Sequence, residues 1–145
     1  MRSAALLTFF VSLLAAAQDV SKDKTNEDAA TLKGRWEIVS SEFEGKPASA
    51  AYRAGTVIVF EGDKLYFTDG FAKSAPATFK LDEKAKPRSI DIGEDKSDRK
   101  AGKGIYSLDG DSLKLCLNLV GVRPKEFKTV AGDKTNLFVL KRQKP

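Results

Sequence analysis

The amino-acid sequence predicts an all-β fold, a single eight-stranded antiparallel barrel. One observation is that short runs of alternating apolar and polar residues recur roughly every ten to fifteen residues, with turn residues between them, as in sandwiches and barrels. Another is that no run after the N-terminal apolar segment has the apolar period of a long helix. Eight antiparallel strands can close on themselves, which removes exposed sheet edges and favours a barrel.

The first predicted strand covers residues 36–43 and is introduced by Gly34 and Trp36. A glycine lets the backbone turn tightly into a strand, and a tryptophan two residues later can plug one end of a small barrel. We therefore assign Gly34 and Trp36 to the closure of one barrel end. The alanine-rich residues 48–54 then predict a short helix or lid between the first two strands.

The other strands are predicted from β-branched and alternating runs bounded by turn residues. Residues 56–60 are the most strongly strand-forming run, and a tight turn at 61–64 leads into the next strand. The Asp-Gly-Asp sequence at 109–111 predicts the clearest hairpin of the chain. The seven strands after the first cover residues 56–60, 65–68, 76–81, 89–92, 104–108, 113–119 and 136–142.

The N-terminal residues 1–17 predict a signal peptide. Arg2 supplies a positive charge, an apolar run follows, and small residues at 15–17 place the cleavage site after Ala17. The run is too short to span a bilayer well, and a buried core helix is the alternative interpretation. We expect an exported protein, periplasmic or extracellular, without a stable membrane anchor. The predicted organisation continues with a disordered leader at 18–31, a barrel domain at 32–142 and a tail at 143–145.

The composition of the 145-residue chain restricts its chemistry. It contains no histidine, which excludes His-based catalysis and His-ligated metal sites. The basic segments carry acidic residues among them and few aromatics, so we interpret them as solvated surface and expect no nucleic-acid partner. The acidic residues at 94–98 and 109–111 are interpreted as a mixed-charge loop and a turn rather than a calcium site. We expect no enzymatic activity, no cofactor and no metal.

Cys116 is the only cysteine, so the domain has no internal disulfide. It lies in an alternating leucine run, which predicts a half-buried structural residue. A reactive thiol is the alternative, but no basic cluster adjoins Cys116 in the sequence to lower its pKa.

Seven segments, in order, carry a resemblance to a known family: 32–40 (LKGRWEIVS), 45–47 (GKP), 78–82 (TFKLD), 86–92 (KPRSIDI), 104–116 (GIYSLDGDSLKLC), 123–127 (RPKEF) and 140–142 (LKR). On these segments the chain resembles a lipocalin-like domain family of small exported planctomycetal proteins. The resemblance implies a lipocalin-like barrel and no particular activity, because that family is largely uncharacterised. In the wider lipocalins an Arg or Lys near the last strand stacks on the tryptophan of the first strand. Here this implies Arg142 over Trp36, with Lys141 as the alternative cation.

An eight-stranded barrel is just wide enough to be filled by side chains or to hold one small molecule, and both alternatives stay open here. Alternation along the strands gives the candidate lining residues Ile38, Phe60, Phe67, Phe79, Tyr106 and Leu115. The leading hypothesis is a monomeric, non-enzymatic exported barrel that binds a small apolar or amphipathic ligand. The alternative hypothesis is a scaffold for interaction with, or inhibition of, an exported protein through the loops at 46–55, 69–75 and 94–103.

Overall fold

The computed structural model describes residues 27–49, 55–93 and 102–144. These ranges contain helix α1 (Glu27–Leu32) and strands β1 (Gly34–Phe43), β2 (Lys46–Pro47), β3 (Val57–Glu61), β4 (Lys64–Thr68), β5 (Ala77–Asp82), β6 (Ser89–Ile92), β7 (Gly102–Asp109), β8 (Ser112–Asn118) and β9 (Thr135–Arg142). The predicted signal peptide, residues 50–54 of the predicted lid and residues 94–101 of the third candidate loop lie outside the described residues.

Eight of the strands form one closed antiparallel barrel. Strands β3 to β8 each pair with the next along the chain, and β1 pairs with both β3 and β9, which closes the sheet. β1 serves both neighbours because its first residues pair with β3, and a bulge between Ile38 and Ser40 bends it along β9. The predicted all-β, eight-stranded, lipocalin-like barrel is confirmed.

Two short elements were not predicted from the sequence. β2 forms a small hairpin with the end of β1, through a turn in which Glu44 and Gly45 have φ of 50° and 79°. Helix α1 covers residues 27–32, so residues 27–31 are helical rather than part of a disordered leader. Such a short helix shows no apolar period and is marginal alone, and α1 is stabilised by its contacts with the barrel.

The antiparallel order gives the barrel two different ends. At one end, which we call the closed end, α1 contacts the β5–β6 connection and the last residue of β9. The other end, which we call the loop end, carries the described parts of the longer connections, at residues 44–49, 55–56, 69–76 and 119–134. Helix α1 and the long loops are therefore on opposite ends of the same rigid sheet.

The hydrophobic core occupies the inside of the barrel. Alternate residues of each strand point inward, and those of facing strands meet in the centre, as where the Phe60 and Phe79 rings contact edge-to-face with centroids 5.3 Å apart. The fully buried members are large aliphatic and aromatic side chains, among them Trp36, Ile58, Ile90, Tyr106, Leu113, Leu115 and Leu140. The core thus runs along the barrel axis from the closed end toward the loop end.

Candidate functional site

The candidate lining residues lie in the packed core. Five of the six are between 1% and 8% exposed: Ile38, Phe60, Phe79, Tyr106 and Leu115. A side chain that lined a ligand-sized hollow would keep accessible area on that hollow, so this burial means that neighbouring side chains occupy the space. Phe67 is partly buried and lies near the loop end, with its ring 6.3 Å from that of Phe138. Where the five buried residues lie, the barrel interior is filled.

The closed end is sealed around the single tryptophan. Trp36 is fully buried, and its indole N–H donates a hydrogen bond of 2.8 Å to the Leu32 carbonyl at the end of α1. The Arg142 guanidinium lies 4.3 Å from the centre of the indole ring, so Arg142 rather than Lys141 provides the cation. Arg142 also donates hydrogen bonds to the carbonyls of Lys33 and Thr31. The Trp36–Arg142 contact, between the start of β1 and the end of β9, therefore also holds the end of α1 in place.

Gly34 permits this arrangement through its backbone conformation. Its φ of 124° is a value that side-chain-bearing residues rarely adopt, and an added Cβ would lie 3.6 Å from the Arg142 guanidinium. The chain therefore turns from α1 into β1 directly beside the Trp36–Arg142 contact.

A second set of hydrogen bonds attaches α1 to the barrel, and it was not predicted from the sequence. The Tyr106 hydroxyl donates to Asp28 Oδ2 at 2.6 Å, and Arg88 donates to the same oxygen at 2.9 Å. The backbone N–H of Asp28 donates to Glu83 at 2.6 Å. Burial, together with the hydrogen bond to Asp28, raises the pKa of Tyr106 well above its ordinary value, so the hydroxyl remains a donor. Tyr106 therefore helps to attach α1 to the barrel.

Replacing Tyr106 with phenylalanine should lower the free energy of unfolding by about 1.5–3 kcal/mol, because a hydrogen bond to a carboxylate is lost while the ring still fills the core. Urea melts followed by the fluorescence of Trp36 measure this. In the Asp28→Ala background the same substitution should cost much less, since the acceptor is gone. An equal loss of unfolding free energy in both backgrounds would contradict a stabilising hydrogen bond between Tyr106 and Asp28.

The loop end carries a fully exposed aromatic residue. Phe71 has a relative exposure of 102% at the tip of the β4–β5 turn. The turn is pinned below it, because one oxygen of Asp69 accepts the backbone N–H groups of Phe71 at 2.9 Å and of Ala72 at 2.7 Å. These backbone hydrogen bonds, from Ala72 first and then Phe71, lower the pKa of the Asp69 carboxyl. The turn thus holds Phe71 out in solvent in one geometry.

Further contacts fix the base of this turn. Thr68 donates to the Ala72 carbonyl at 2.8 Å, and Ser74 exchanges hydrogen bonds with the backbone of Phe67. The Lys73 ammonium lies 3.7 Å from the centre of the Tyr66 ring, a cation–π contact that joins the returning arm of the turn to β4.

The long β8–β9 loop at residues 119–134 folds back over the outside of the barrel. Asn118 joins its two ends: its amide oxygen accepts the Val120 N–H at 2.9 Å, and its amide nitrogen donates to the Asp133 carbonyl at 2.6 Å. Arg123 donates to the Gly104 carbonyl at 2.8 Å and to Asp91 at 2.6 Å. The loop is therefore tied to β6, β7 and its own base.

Asp91 is the carboxylate with which Arg123 of this loop forms its ion pair. Its burial raises its pKa, but hydrogen bonds from Arg123 and Lys103 and their charges outweigh the burial, so the pKa of Asp91 lies below its ordinary value. Lys103 contributes an ion pair of 3.1 Å. The group therefore stays ionised across the neutral range and keeps the loop attached.

Cys116 lies beneath the same loop. It is fully buried, and its sulfur is 3.6 Å from the Glu126 carbonyl oxygen. Burial raises the pKa of the Cys116 thiol, which disfavours the nucleophilic thiolate. Its position is that of a structural residue, more deeply buried than the sequence predicts.

Comparison with protein-family models, with curated proteins and with solved structures finds no match to this chain. The resemblance to planctomycetal lipocalin-like proteins therefore stays a sequence-based prediction. Within the described residues, no helix is long and apolar enough to cross a membrane. In the same part of the chain, no three metal-ligating side chains come together. The class that the fold defines is a lipocalin-like barrel with a packed hydrophobic core.

Proposed function

We propose that this protein is an exported binding module that recognises a partner protein through its loop end, with the barrel as the rigid scaffold. The observation that carries the proposal is Phe71, fully exposed on a pinned turn. The packed interior supports the loops over the barrel as the binding region. Export is supported by the signal-like residues 1–17, and a non-enzymatic role by the lack of histidine.

An exposed phenylalanine on an ordered turn is suited to anchoring a protein interface. Aromatic residues that enter a pocket on the partner supply much of the binding free energy of such interfaces. Because Asp69, Thr68 and Ser74 already order the turn, little conformational entropy remains to be lost on binding. The Lys73 ammonium lies over a tyrosine ring and Asp69 carries the opposite charge on the same turn, so the apolar Phe71 ring is the main recognition feature. The expected partner is an exported protein with an apolar pocket.

Phe71→Ser should weaken binding of that partner by roughly thirtyfold or more, as loss of a central aromatic anchor does. Tagged protein would be incubated with exported proteins of the source organism, and the dissociation constant measured with the purified partner. Asp69→Ala should weaken binding to a smaller degree, since it frees the turn without removing the ring.

Val39→Ser is the matched control, because Val39 is also an exposed apolar residue but lies on β1, with β3 between it and β4. Both serine variants should leave the free energy of unfolding within about 0.5 kcal/mol of the unmodified protein. A partner bound equally by the Phe71→Ser variant, or lost equally with Val39→Ser, would contradict the proposal.

A further inference from the structure

A groove of ≈ 730 Å³ lies on the surface of the protein at the β8–β9 loop. The residues lining it all come from the segment between Asn118 and Thr135. Its volume is within the range of small-molecule sites, about 300–1,000 Å³. We propose that this groove binds a small amphipathic anion, a molecule with an apolar body and one carboxylate. The site is outside the barrel, separate from both the filled interior and Phe71.

The apolar part of the groove comes from valines that remain accessible. Val120, Val122 and Val130 line it, and Val122 keeps 66% of its surface exposed. They are neighbours around one concavity rather than isolated surface residues, so a single apolar body can cover several of them. Burial of this apolar area by a ligand contributes a favourable free energy of about 25 cal/mol for each Å² removed from water. The groove thus offers favourable burial to an apolar body that the flat barrel surface does not.

The charges around the groove select for an anion. Four basic residues line it against two acidic ones, which are Glu126 and Asp133. The Asp133 carboxylate already accepts the N–H groups of Val130 at 3.0 Å and Thr135 at 2.9 Å. Of the lining cations, Arg123 is paired with Asp91 and Lys134 with Glu44. No carboxylate in the described part of the chain pairs with the ammonium of Lys125 or Lys128, which leaves these two to meet a ligand carboxylate.

The groove is formed before any ligand binds. Asn118 is almost fully buried and joins both ends of the loop, and Arg123 ties its middle to β7. Thr129 accepts the Gly45 N–H at 2.8 Å and donates to Glu42, which anchors the far side on β1 and its turn. Such a preformed site needs little ordering on binding, and this favours affinity even for a small ligand.

The test uses sodium decanoate, below the concentration at which it forms micelles, with the full domain. Isothermal calorimetry should give saturable binding, and decylammonium, which has the same chain and the opposite charge, should bind more weakly by roughly tenfold. The double variant Lys125→Gln/Lys128→Gln should weaken decanoate binding by roughly tenfold, which is about threefold for each exposed charge. Val122→Ser should weaken both probes.

Lys64→Gln is the matched control, an exposed lysine at the β3–β4 turn of the closed end, and should leave binding unchanged. Amide NMR shifts caused by decanoate should be confined to residues 118–135. Shifts centred on Phe67 and Phe138, unchanged binding by the double variant, or no saturable binding would each overturn the proposal. Because none of these variants alters Phe71, the outcome of the decanoate test is independent of the experiment on the partner protein.

Discussion

Trp36→Ala is expected to lower the free energy of unfolding by about 3–5 kcal/mol, the range for truncation of a large buried aromatic residue. The indole is fully buried, stacks under Arg142 and donates to the Leu32 carbonyl, so the substitution opens a cavity and frees the helix. With net stabilities of about 5–15 kcal/mol and no disulfide to limit the unfolded state, such a loss can unfold the domain. Urea melts followed by far-UV circular dichroism measure it, because the only tryptophan is removed.

Arg142→Ala should cost less, on the order of 1 kcal/mol from the cation–π contact with some lost packing of its stem. The two losses should be non-additive, because the residues touch. The matched control is Lys141→Ala, since Lys141 is exposed and neighbours Arg142 on the same strand. Strictly additive losses, or an emission spectrum of Trp36 typical of full exposure in the folded protein, would rule out the closure.

The strands of this protein could be predicted from sequence because their signal is local. Alternation of apolar and polar residues fixes both strand position and the inward face, and the Asp-Gly-Asp turn fixes one hairpin. Arg142 could be placed over Trp36 only through the resemblance to lipocalins, since the two residues lie near opposite ends of the barrel sequence and meet only in the folded protein. Helix α1 is the counter-example: its six residues carry no apolar period, and Asp28 is ordered by Tyr106 and Arg88, far away in sequence.

The candidate site was predictable only in part. Alternation correctly selected inward-facing residues such as Phe60 and Leu115, but whether inward side chains fill a barrel or line a hollow depends on the sum of their volumes around the ring. The loop at 69–75 was selected as a candidate from its position, while the exposure of Phe71 follows from hydrogen bonds to Asp69 that no spacing rule specifies. The β8–β9 groove depends on Asn118 and Arg123 contacts between distant segments.

Gly104→Ala is expected to lower the free energy of unfolding by about 3 kcal/mol, the upper part of the usual cost of overpacking a core. Gly104 faces into the barrel opposite Leu117 on β8, and its φ is outside the left-handed region, so conformational strain does not enter. An added Cβ would overlap a Leu117 methyl and would lie 2.7 Å from the Cys116 carbonyl oxygen and 3.1 Å from Ile90. The leucine can rotate, but the carbonyl belongs to the sheet and moves only with β8.

Gly102→Ala is the matched control, because Gly102 lies on the same strand and the same face. There the added Cβ would meet the end of the exposed Leu119 side chain at 3.3 Å, which can move aside, so the cost should stay below about 1 kcal/mol. Leu117→Ala should reduce the cost of Gly104→Ala without abolishing it, since the carbonyl contact remains. Both glycine variants can be followed by Trp36 fluorescence in urea. Equal stability of the two variants would show that β7 and β8 do not approach as closely at Gly104 as the structure requires.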